Sequence, residues 1–414
     1  MSYVLFFVYI LAGWWLLSRC RFVTQSGLNR KEWTILYFLK ILAGVAIGWL
    51  SAYFYPQGSD YWMIHRESLI NYEMLRSEPV TFFTELFSSP YGHFGGYFDS
   101  VGSYWTDLKN NLIIKTAAVV NIFSGGNYYV NSVFFNLPGF LAHVAIYRMF
   151  RRFYPNHSKA LILGVFLLPS ALYFTSGIHK DAFLFMGVAG FMYGWISPDK
   201  NISRKRWFLI ILSFLLIALV RSYVLAALIP AVLAYRMGLQ YGVSRANYFV
   251  YAFVLVGALL GHLFTDVSPV KVITEKQQAF LALPKARSQI RVDTLNGSPN
   301  SLLHALPTAA VNVGTQPRFW ETHLPSTLIF PSIEWFLYLL LIGAGILMYR
   351  RYQLPIQPLV TCVLFAIPLL LLIGFIVPNS GSIIRYRALY LPYLITPFLV
   401  AIRIGIKHII SKNI

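Results

Sequence analysis

One short polar segment, GSDYWMIHRES at positions 58–68, carries a carboxylate that could act as a base. Asp60 follows an apolar run, so we expect its side chain at a water boundary, where partial desolvation increases the basicity of a carboxylate. Such a group can accept a proton from a sugar hydroxyl. His65 and Arg66 follow one helical turn later and could line the same pocket. An Asp at the start of a helix is also an ordinary N-cap or first-turn residue, and the sequence leaves this alternative open.

A second polar segment interrupts the apolar sequence LPSALYFTSGIHKDAFLF, where His179, Lys180 and Asp181 open a predicted helix. Asp181 in a first turn is favoured by the helix dipole, whereas Lys180 there is disfavoured and calls for a compensating anion. A phosphate group at this helix N-terminus would satisfy both the lysine and the unbonded N–H groups. The alternative is a surface pair of Lys180 with Asp181, or a lysine that reaches lipid headgroups.

Three arginines, Arg221, Arg385 and Arg387, are predicted at the outer ends of helices. Outer loops are normally poor in arginine, so this set indicates an anionic group at the membrane surface, either a substrate phosphate or lipid phosphates in general.

The segment QPRFWE at 316–321 combines both charge signs with an aromatic pair and adds Arg318, Trp320 and Glu321 as candidates. Aromatic faces stack on sugars and on lipid chains alike.

These residues need a scaffold, and the composition predicts an all-α polytopic membrane protein. Of 414 residues, 57% are hydrophobic and only 12% are charged. A spanning helix needs roughly 20 mostly apolar residues. About eleven predicted spans result, at 2–18, 33–54, 128–149, 159–176, 181–197, 206–220, 222–237, 246–264, 329–349, 356–376 and 384–403.

The charge pattern orients this scaffold. The net charge of +19 is concentrated in one class of connections, which holds nineteen basic residues against Glu32 and Asp199 and so carries +17. By the positive-inside rule this face is cytoplasmic, which predicts an outer N-terminus and an inner C-terminus. Because the basic residues alternate with apolar segments, the pattern argues against a nucleic-acid surface.

We therefore expect a single transmembrane domain over 1–414 with two outer segments, 55–127 and 266–326. The first is predicted to hold helices along the membrane surface at 61–77 and 80–87, and an interfacial stretch at 112–123. The apolar sequence 207–235 is predicted to be two helices that meet near Arg221, because a single crossing would move later basic loops outside.

Signatures of soluble enzymes are missing from the sequence: it has no phosphate-cradling Gly-rich loop, HExxH, CxxC or GxSxG. Two cysteines are too few for a disulfide framework or a metal cluster. The first outer segment has no DxD or DxE pair near Asp60. We therefore expect no cofactor and no obligatory metal, and a divalent metal is left open.

The arrangement resembles GT-C type membrane glycosyltransferases. It is carried by a short first pair of helices, a long outer loop with Asp60 after the second helix, the turn PSALYFTSGIHKD, and the later arginine pair of helices. The turn matches a PSxxFxSSGxxKD/E pattern of bacterial envelope-polysaccharide proteins, some grouped with sugar-chain polymerases, whereas QPRFWE departs from their RPFxWE pattern. The resemblance implies a polyprenyl-phosphate sugar donor and an external site with Asp60 as base. Lys180, Arg221, Arg385 and Arg387 would then bind the donor phosphate.

The leading hypothesis is thus a glycosyltransferase of the bacterial inner membrane that moves a sugar from an undecaprenyl-phosphate-linked donor to an envelope glycan or lipid acceptor. The alternative is a polymerase that joins lipid-linked repeat units, since both activities need an acceptor base and a phosphate clamp. A transporter of such lipids is the third hypothesis. It is disfavoured because the charges cluster at the predicted helix mouths rather than at the bilayer midplane.

Overall fold

The structure is a computed structural model that describes residues 2–55, 59–88, 104–199, 201–241, 250, 252–254, 256–257, 268–321, 324–352 and 354–412. Within these ranges the chain is helical and forms no strand, and a single isolated antiparallel bridge joins Gln289 and Asn379. The predicted all-α class is therefore confirmed for the described residues.

Eighteen α-helices and one 3₁₀ helix are named among the described residues. In chain order they are α1 (Ser2–Arg19), α2 (Arg21–Thr24), α3 (Arg30–Phe54), α4 (Asp60–Ser77), α5 (Pro79–Thr84), the 3₁₀ helix (Glu85–Phe87), α6 (Tyr104–Ser124), α7 (Tyr128–Arg151), α8 (Ser158–Phe166), α9 (Pro169–Phe174), α10 (Lys180–Trp195), α11 (Arg204–Arg221), α12 (Tyr223–Tyr241), α13 (Pro269–Leu281), α14 (Pro299–Thr315), α15 (Ser326–Tyr352), α16 (Ile356–Ile376), α17 (Ser380–Ala388) and α18 (Leu391–Lys412).

Five of these helices, α1, α3, α7, α15 and α16, are long and apolar enough to cross a membrane. A sixth span results if Ser380–Ala388 and Leu391–Ile406, bent by 68° at their junction, form one broken crossing. The prediction of a polytopic membrane protein is thus supported, whereas about eleven spans are not supported among the described residues.

Helix length explains most of this difference. The predicted span 159–176 divides at Pro169 into α8 and α9, of nine and six residues. At 1.5 Å per residue, α8 rises only about 13 Å, against a hydrocarbon core of about 30 Å. α10 has sixteen residues, and the apolar part of α12, Tyr223–Leu239, is also too short. α11 has eighteen residues but four of them are basic, and the predicted span 246–264 lies mostly outside the described residues.

By its internal contacts the chain divides into two compact units. Unit 1 consists of Met1–Arg148, Leu172–Phe191 and Leu209–Arg221, and unit 2 consists of Met149–Ala171, Met192–Phe208 and Ser222–Ile414. The single domain over 1–414 and the membrane sidedness of its outer segments stay predictions.

In unit 1, α3 and α7 pack closely because glycines leave room for the facing side chains. A Cβ on Gly44 would lie 1.9 Å from Nδ2 of Asn136, and one on Gly48 would lie 2.3 Å from Cε1 of Tyr128. The opposite face of α3 exposes Ile35, Leu42 and Trp49 at seven-residue spacing, as expected for a face in contact with lipid.

Helices α4 and α6 of unit 1 pack against each other. Asn121 of α6 donates from Nδ2 to the Ser68 carbonyl of α4 at 3.1 Å. The predicted surface helix at 61–77 corresponds to α4, and 80–87 corresponds to α5 and the 3₁₀ helix. The stretch 112–123 lies within α6, which is longer than predicted and is not among the candidate spans.

In unit 2, pairs of helices also meet at glycines. Gly345 of α15 faces Phe398 of α18, where an added Cβ would lie 2.5 Å from the Cβ of Phe398. Gly374 of α16 faces the Ala309 carbonyl of α14, at 2.3 Å from an added Cβ. Of these helices, α15 carries three residues of the polar cluster of unit 2 described below.

Candidate functional site

Asp60 is the first residue of α4, and Ser59 occupies the N-cap position without a side-chain capping bond. Instead, Oδ2 of Asp60 lies 3.5 Å from Nε2 of His179. Its side chain is 42% exposed, whereas that of His179 is fully buried. Asp60 therefore does not act as the N-cap of α4, and it connects the surface to a buried imidazole.

His179 contacts a second carboxylate through its other ring nitrogen. Nδ1 lies 3.1 Å from Oδ2 of Asp181, and it also lies 3.1 Å from the backbone nitrogen of Asp181. The imidazole can thus be protonated at Nε2 and face Asp60, with Nδ1 accepting the backbone N–H, or be protonated at Nδ1 and donate to the Asp181 carboxylate. The ring of Tyr61 packs against the imidazole with a centroid distance of 4.7 Å.

Arg221 completes the series. Its Nη2 donates to Oδ1 of Asp181 at 2.6 Å, and the two side chains are 9% and 0% exposed. Because Asp181 is buried and bonded to Arg221 and His179, the alternative of a surface pair between Lys180 and Asp181 is wrong. We call Asp60, His179, Asp181 and Arg221 the unit 1 charge chain. In it two carboxylates alternate with a histidine and an arginine, as is typical of charge-assisted hydrogen bonding in a dry environment.

A tight turn over residues 175–179 places His179 beside Asp60. Gly177 in this turn has φ +78°, a left-handed conformation that favours glycine, and an added Cβ would lie 2.8 Å from Cγ2 of Ile47. Its backbone N–H donates to Oδ1 of Asn136 on α7 at 3.3 Å. At the start of the turn, Nζ of Lys40 on α3 donates to the carbonyl and the hydroxyl of Thr175, each at 2.8 Å.

His65 and Arg66, which were predicted to share the pocket of Asp60, have different surroundings. His65 is 4% exposed, and its ring packs edge-on against Trp62 and Tyr128. Burial lowers the pKa of His65 to about 4; a backbone hydrogen bond with Gly126 opposes this change and the charge of Arg66 adds to it. Arg66 itself is exposed. The structure therefore places His65 in the core of unit 1 and Arg66 on its surface.

Unit 2 contains a different buried carboxylate, Glu334 on α15. It accepts from the backbone N–H of Ser170 at 2.9 Å and from the hydroxyls of Ser170 and Tyr338. Glu334 is 5% exposed, so all three donors act in a dry environment. Ser170 belongs to the PSALYF segment singled out in the sequence, and its hydroxyl thus binds a structural carboxylate.

Arg387 on α17 lies in the same region of unit 2 and is 2% exposed. Its guanidinium carbon lies 3.6 Å from the centroid of the Trp335 ring, and Nη1 donates to the carbonyls of Val313 and Gln316 at 3.2 and 3.0 Å. We call Ser170, Glu334, Trp335, Tyr338 and Arg387 the unit 2 polar cluster. These contacts account for a buried Arg387 without a bound anion. Arg385 on the same helix is half-buried.

The QPRFWE segment of unit 2 is organised by a local ion pair. Nη1 of Arg318 lies 3.6 Å from Oε1 of Glu321, and Gln316 donates to the same oxygen at 3.0 Å. Nε of Arg318 donates to the Thr315 hydroxyl at 3.1 Å. Trp320 is 61% exposed.

Four predicted site residues thus form one series of contacts; they are Asp60, His179, Asp181 and Arg221. Lys180 is half-buried beside them in the sequence. Of the other predicted candidates, His65 and Arg66 belong to unit 1, and the rest belong to unit 2; these are Arg318, Trp320, Glu321, Arg385 and Arg387. Lys40 and Glu334 were missed, although each is an isolated ionisable residue within a predicted span, which is itself a signal of function.

Among the described residues, no group of three or more His, Cys, Asp or Glu side chains is arranged to hold a metal ion. Comparisons with protein-family models, with curated proteins and with solved structures give no match to this chain.

Proposed function

We propose that this chain is a GT-C-like glycosyltransferase that moves a sugar from a polyprenyl-phosphate-linked donor to an envelope glycan or lipid acceptor. The proposal includes a bacterial inner-membrane location, a periplasmic N-terminus and a cytoplasmic C-terminus, supported by the +17 charge of one class of connections. Up to six candidate spans among the described residues support the membrane setting.

The observation that carries the proposal is the position of Asp60 at the exposed end of the unit 1 charge chain. A general base must reach the substrate while its orientation is fixed by its surroundings. Asp60 is 42% exposed, and the buried His179 fixes it at 3.5 Å. His179 is fixed in turn by Asp181, whose charge Arg221 balances at 2.6 Å.

In the proposed reaction, the acceptor hydroxyl transfers its proton to Asp60 while its oxygen attacks the anomeric carbon of the donor sugar. The bond between that carbon and the phosphate oxygen breaks, and polyprenyl phosphate leaves as an anion. In unit 1, Lys180 and Arg221 are the proposed contacts for this phosphate, because cations at the leaving group stabilise the charge that develops in the transition state. Of these, Arg221 also balances the charge of Asp181.

The test is the variant Asp60→Asn, purified into proteoliposomes and assayed with a panel of undecaprenyl-phosphate-linked hexoses. Loss of a general base lowers turnover by roughly 10²- to 10⁴-fold. The thermal stability should stay close to wild type, because the side chain is half-exposed. Glu73→Gln is the matched control, since it makes the same chemical change at an exposed residue of α4. Wild-type turnover in Asp60→Asn would leave Asp60 only its first-turn role and overturn the proposal.

The same assay separates the two transfer activities by product length. One added sugar supports single transfer, whereas a ladder of products supports a polymerase that joins lipid-linked repeat units.

A transporter of lipid-linked sugars is a second candidate, and one observation favours it. Lys40 is buried within the candidate span α3, and ionisable groups inside spans are characteristic of transport proteins. Lys40 lies within the span rather than at a helix mouth, where the other candidate charges are predicted. Movement of a labelled undecaprenyl-phosphate hexose across sealed vesicles, unaffected by Asp60→Asn, would support transport; no movement would exclude it.

A further inference from the structure

A lysine lies inside the membrane-spanning part of unit 1, at a position where an apolar residue would be expected. Lys40 is the eleventh residue of α3 and is 1% exposed. An amine in such a place loses its hydration and is costly unless protein groups replace the water. Both hydrogen bonds of its Nζ, at 2.8 Å, go to one residue, Thr175.

The packing around Lys40 leaves room for this contact. A Cβ on Gly139 of α7 would lie 3.2 Å from Cε of Lys40, so the lysine passes over a glycine on its way to Thr175. On the far side, Nζ lies 5.9 Å from the centroid of the Phe185 ring. The amine is thus directed to the backbone and the hydroxyl of Thr175.

Thr175 begins the turn that ends at His179, and the residues between them have little freedom. The backbone N–H of Gly177 donates to Asn136. Its φ of +78° favours glycine, and Ile47 leaves no room for a side chain there. The turn is thus attached at its start to α3 and at its middle to α7. Only three residues separate Thr175 from His179, so we expect a displacement at Thr175 to reach His179.

We propose that Lys40 is a positioning residue that sets the place of His179, and through it the orientation of Asp60. The catalytic part of this inference rests on the proposed function; the positioning part does not. Lys40 holds the carbonyl and the hydroxyl of Thr175, the turn carries this restraint to His179, and His179 holds the Asp60 carboxylate. Displacement of a base by about 1 Å can lower turnover by about 10²-fold, so a residue remote from the surface has a direct effect on rate.

The experiment compares wild type with Lys40→Met, which keeps the length of the side chain and removes its donor. The protein is labelled with ¹⁵N-histidine in nanodiscs, and the His179 ring signals are identified by their loss in His179→Gln. We expect Lys40→Met to shift both ring nitrogen signals of His179. In the transfer assay we expect kcat to fall by roughly 10- to 100-fold with little change in KM. Unchanged His179 signals in a folded Lys40→Met would overturn the inference.

Tyr37→Phe is the matched control. Tyr37 lies on α3 one turn before Lys40, is fully buried, and donates its hydroxyl to the Ile10 carbonyl at 3.2 Å rather than to the turn. It should leave the His179 signals and kcat unchanged, and a shift equal to that of Lys40→Met would show that any lost hydrogen bond of α3 has this effect.

Thr175→Val provides a second variant if Lys40→Met does not fold. It removes only the hydroxyl acceptor and keeps the carbonyl, so a smaller shift of the His179 signals is expected, and no shift would count against the inference. If Lys40→Met moves the signals while wild type transfers no sugar, the positioning role stands and the glycosyltransferase proposal fails.

Discussion

The two units bury their charged residues in different ways. In the unit 1 charge chain, Arg221 contacts Asp181 directly and His179 lies between the two carboxylates. The series ends at a half-exposed carboxylate, Asp60. In the unit 2 polar cluster, the hydrogen bonds of Glu334 and the close contacts of Arg387 are to neutral groups, which are hydroxyls, backbone groups and an aromatic face. The two charges act on each other at longer range. Both are almost fully buried.

This difference separates a reactive arrangement from a structural one. A buried charge whose hydrogen bonds are satisfied by neutral groups stabilises the packing of its neighbours but has no route to a substrate. A series of charges with one accessible end can exchange a proton with a bound molecule. We therefore expect chemistry in unit 1 and helix packing in unit 2.

The largest effect on stability is expected for Arg221→Met. It leaves Asp181 buried without its counter-charge, and breaking a buried pair from one side costs about 3–5 kcal/mol of unfolding free energy. Arg387→Met leaves two carbonyls without this donor and should cost less, about 1–3 kcal/mol. Unfolding of both variants in detergent, measured against wild type, tests the ranking; a greater loss in Arg387→Met would refute the contrast between the units.

The double variant Arg221→Met with Asp181→Asn is the control for this ranking. Because the second change removes the uncompensated charge, it should recover part of the lost stability. A double variant that is less stable than Arg221→Met would mean that the pair is not the source of the effect.

A smaller loss of stability is expected for Glu334→Gln. This variant changes a carboxylate to an amide in unit 2, as Asp60→Asn does in unit 1. Glutamine has one oxygen, so at least one of the three donors to Glu334 loses its acceptor. We expect a loss of about 1–3 kcal/mol in unfolding free energy with turnover little changed. Thermal unfolding and the transfer assay together measure both. A fall in turnover as large as that of Asp60→Asn at wild-type stability would place chemistry in unit 2 as well.

The smallest expected effect is a pH dependence of stability that arises from His65 in the core of unit 1. The pKa of His65 is about 4 in the folded protein and 6.5 when unperturbed. Between these values His65 binds a proton in the unfolded chain but not in the folded chain. The contribution of His65 to stability therefore falls as pH falls from 6.5 to 4 and is constant outside this range. Wild type should lose about 1–2 kcal/mol more than His65→Gln between pH 7 and pH 5.

Unfolding at the two pH values measures this difference. His304→Gln is the matched control, because it removes an exposed imidazole in unit 2. Equal pH dependence in wild type and His65→Gln would contradict the assignment of His65 to the core.

Much of the helical structure could be predicted from the sequence because it depends on local signals. The predicted helices at 33–54 and 61–77 correspond to Arg30–Phe54 and Asp60–Ser77. The number of spans could not be predicted in the same way. Hydropathy alone does not register a break such as that before Pro169, which turns one apolar run into two helices too short to cross.

The site was predicted residue by residue but not as a contact. Asp60, His179, Asp181 and Arg221 stood out by type and by position at helix ends. Their connection depends on the turn at 175–179, whose course is set by Lys40 and Asn136 on two other helices. Such long-range contacts leave little trace in one sequence beyond an isolated lysine in an apolar helix.

The turn at residues 175–179 also limits how this chain can vary in length. Its first residue is tied to α3, its glycine is tied to α7, and α10 begins at the residue after His179. One inserted or deleted residue between these attachments would rotate the imidazole away from Asp60, however conservative its chemistry. Natural relatives that retain the chemistry should therefore keep the spacing between Thr175 and His179 fixed, even where the surrounding apolar residues are exchanged.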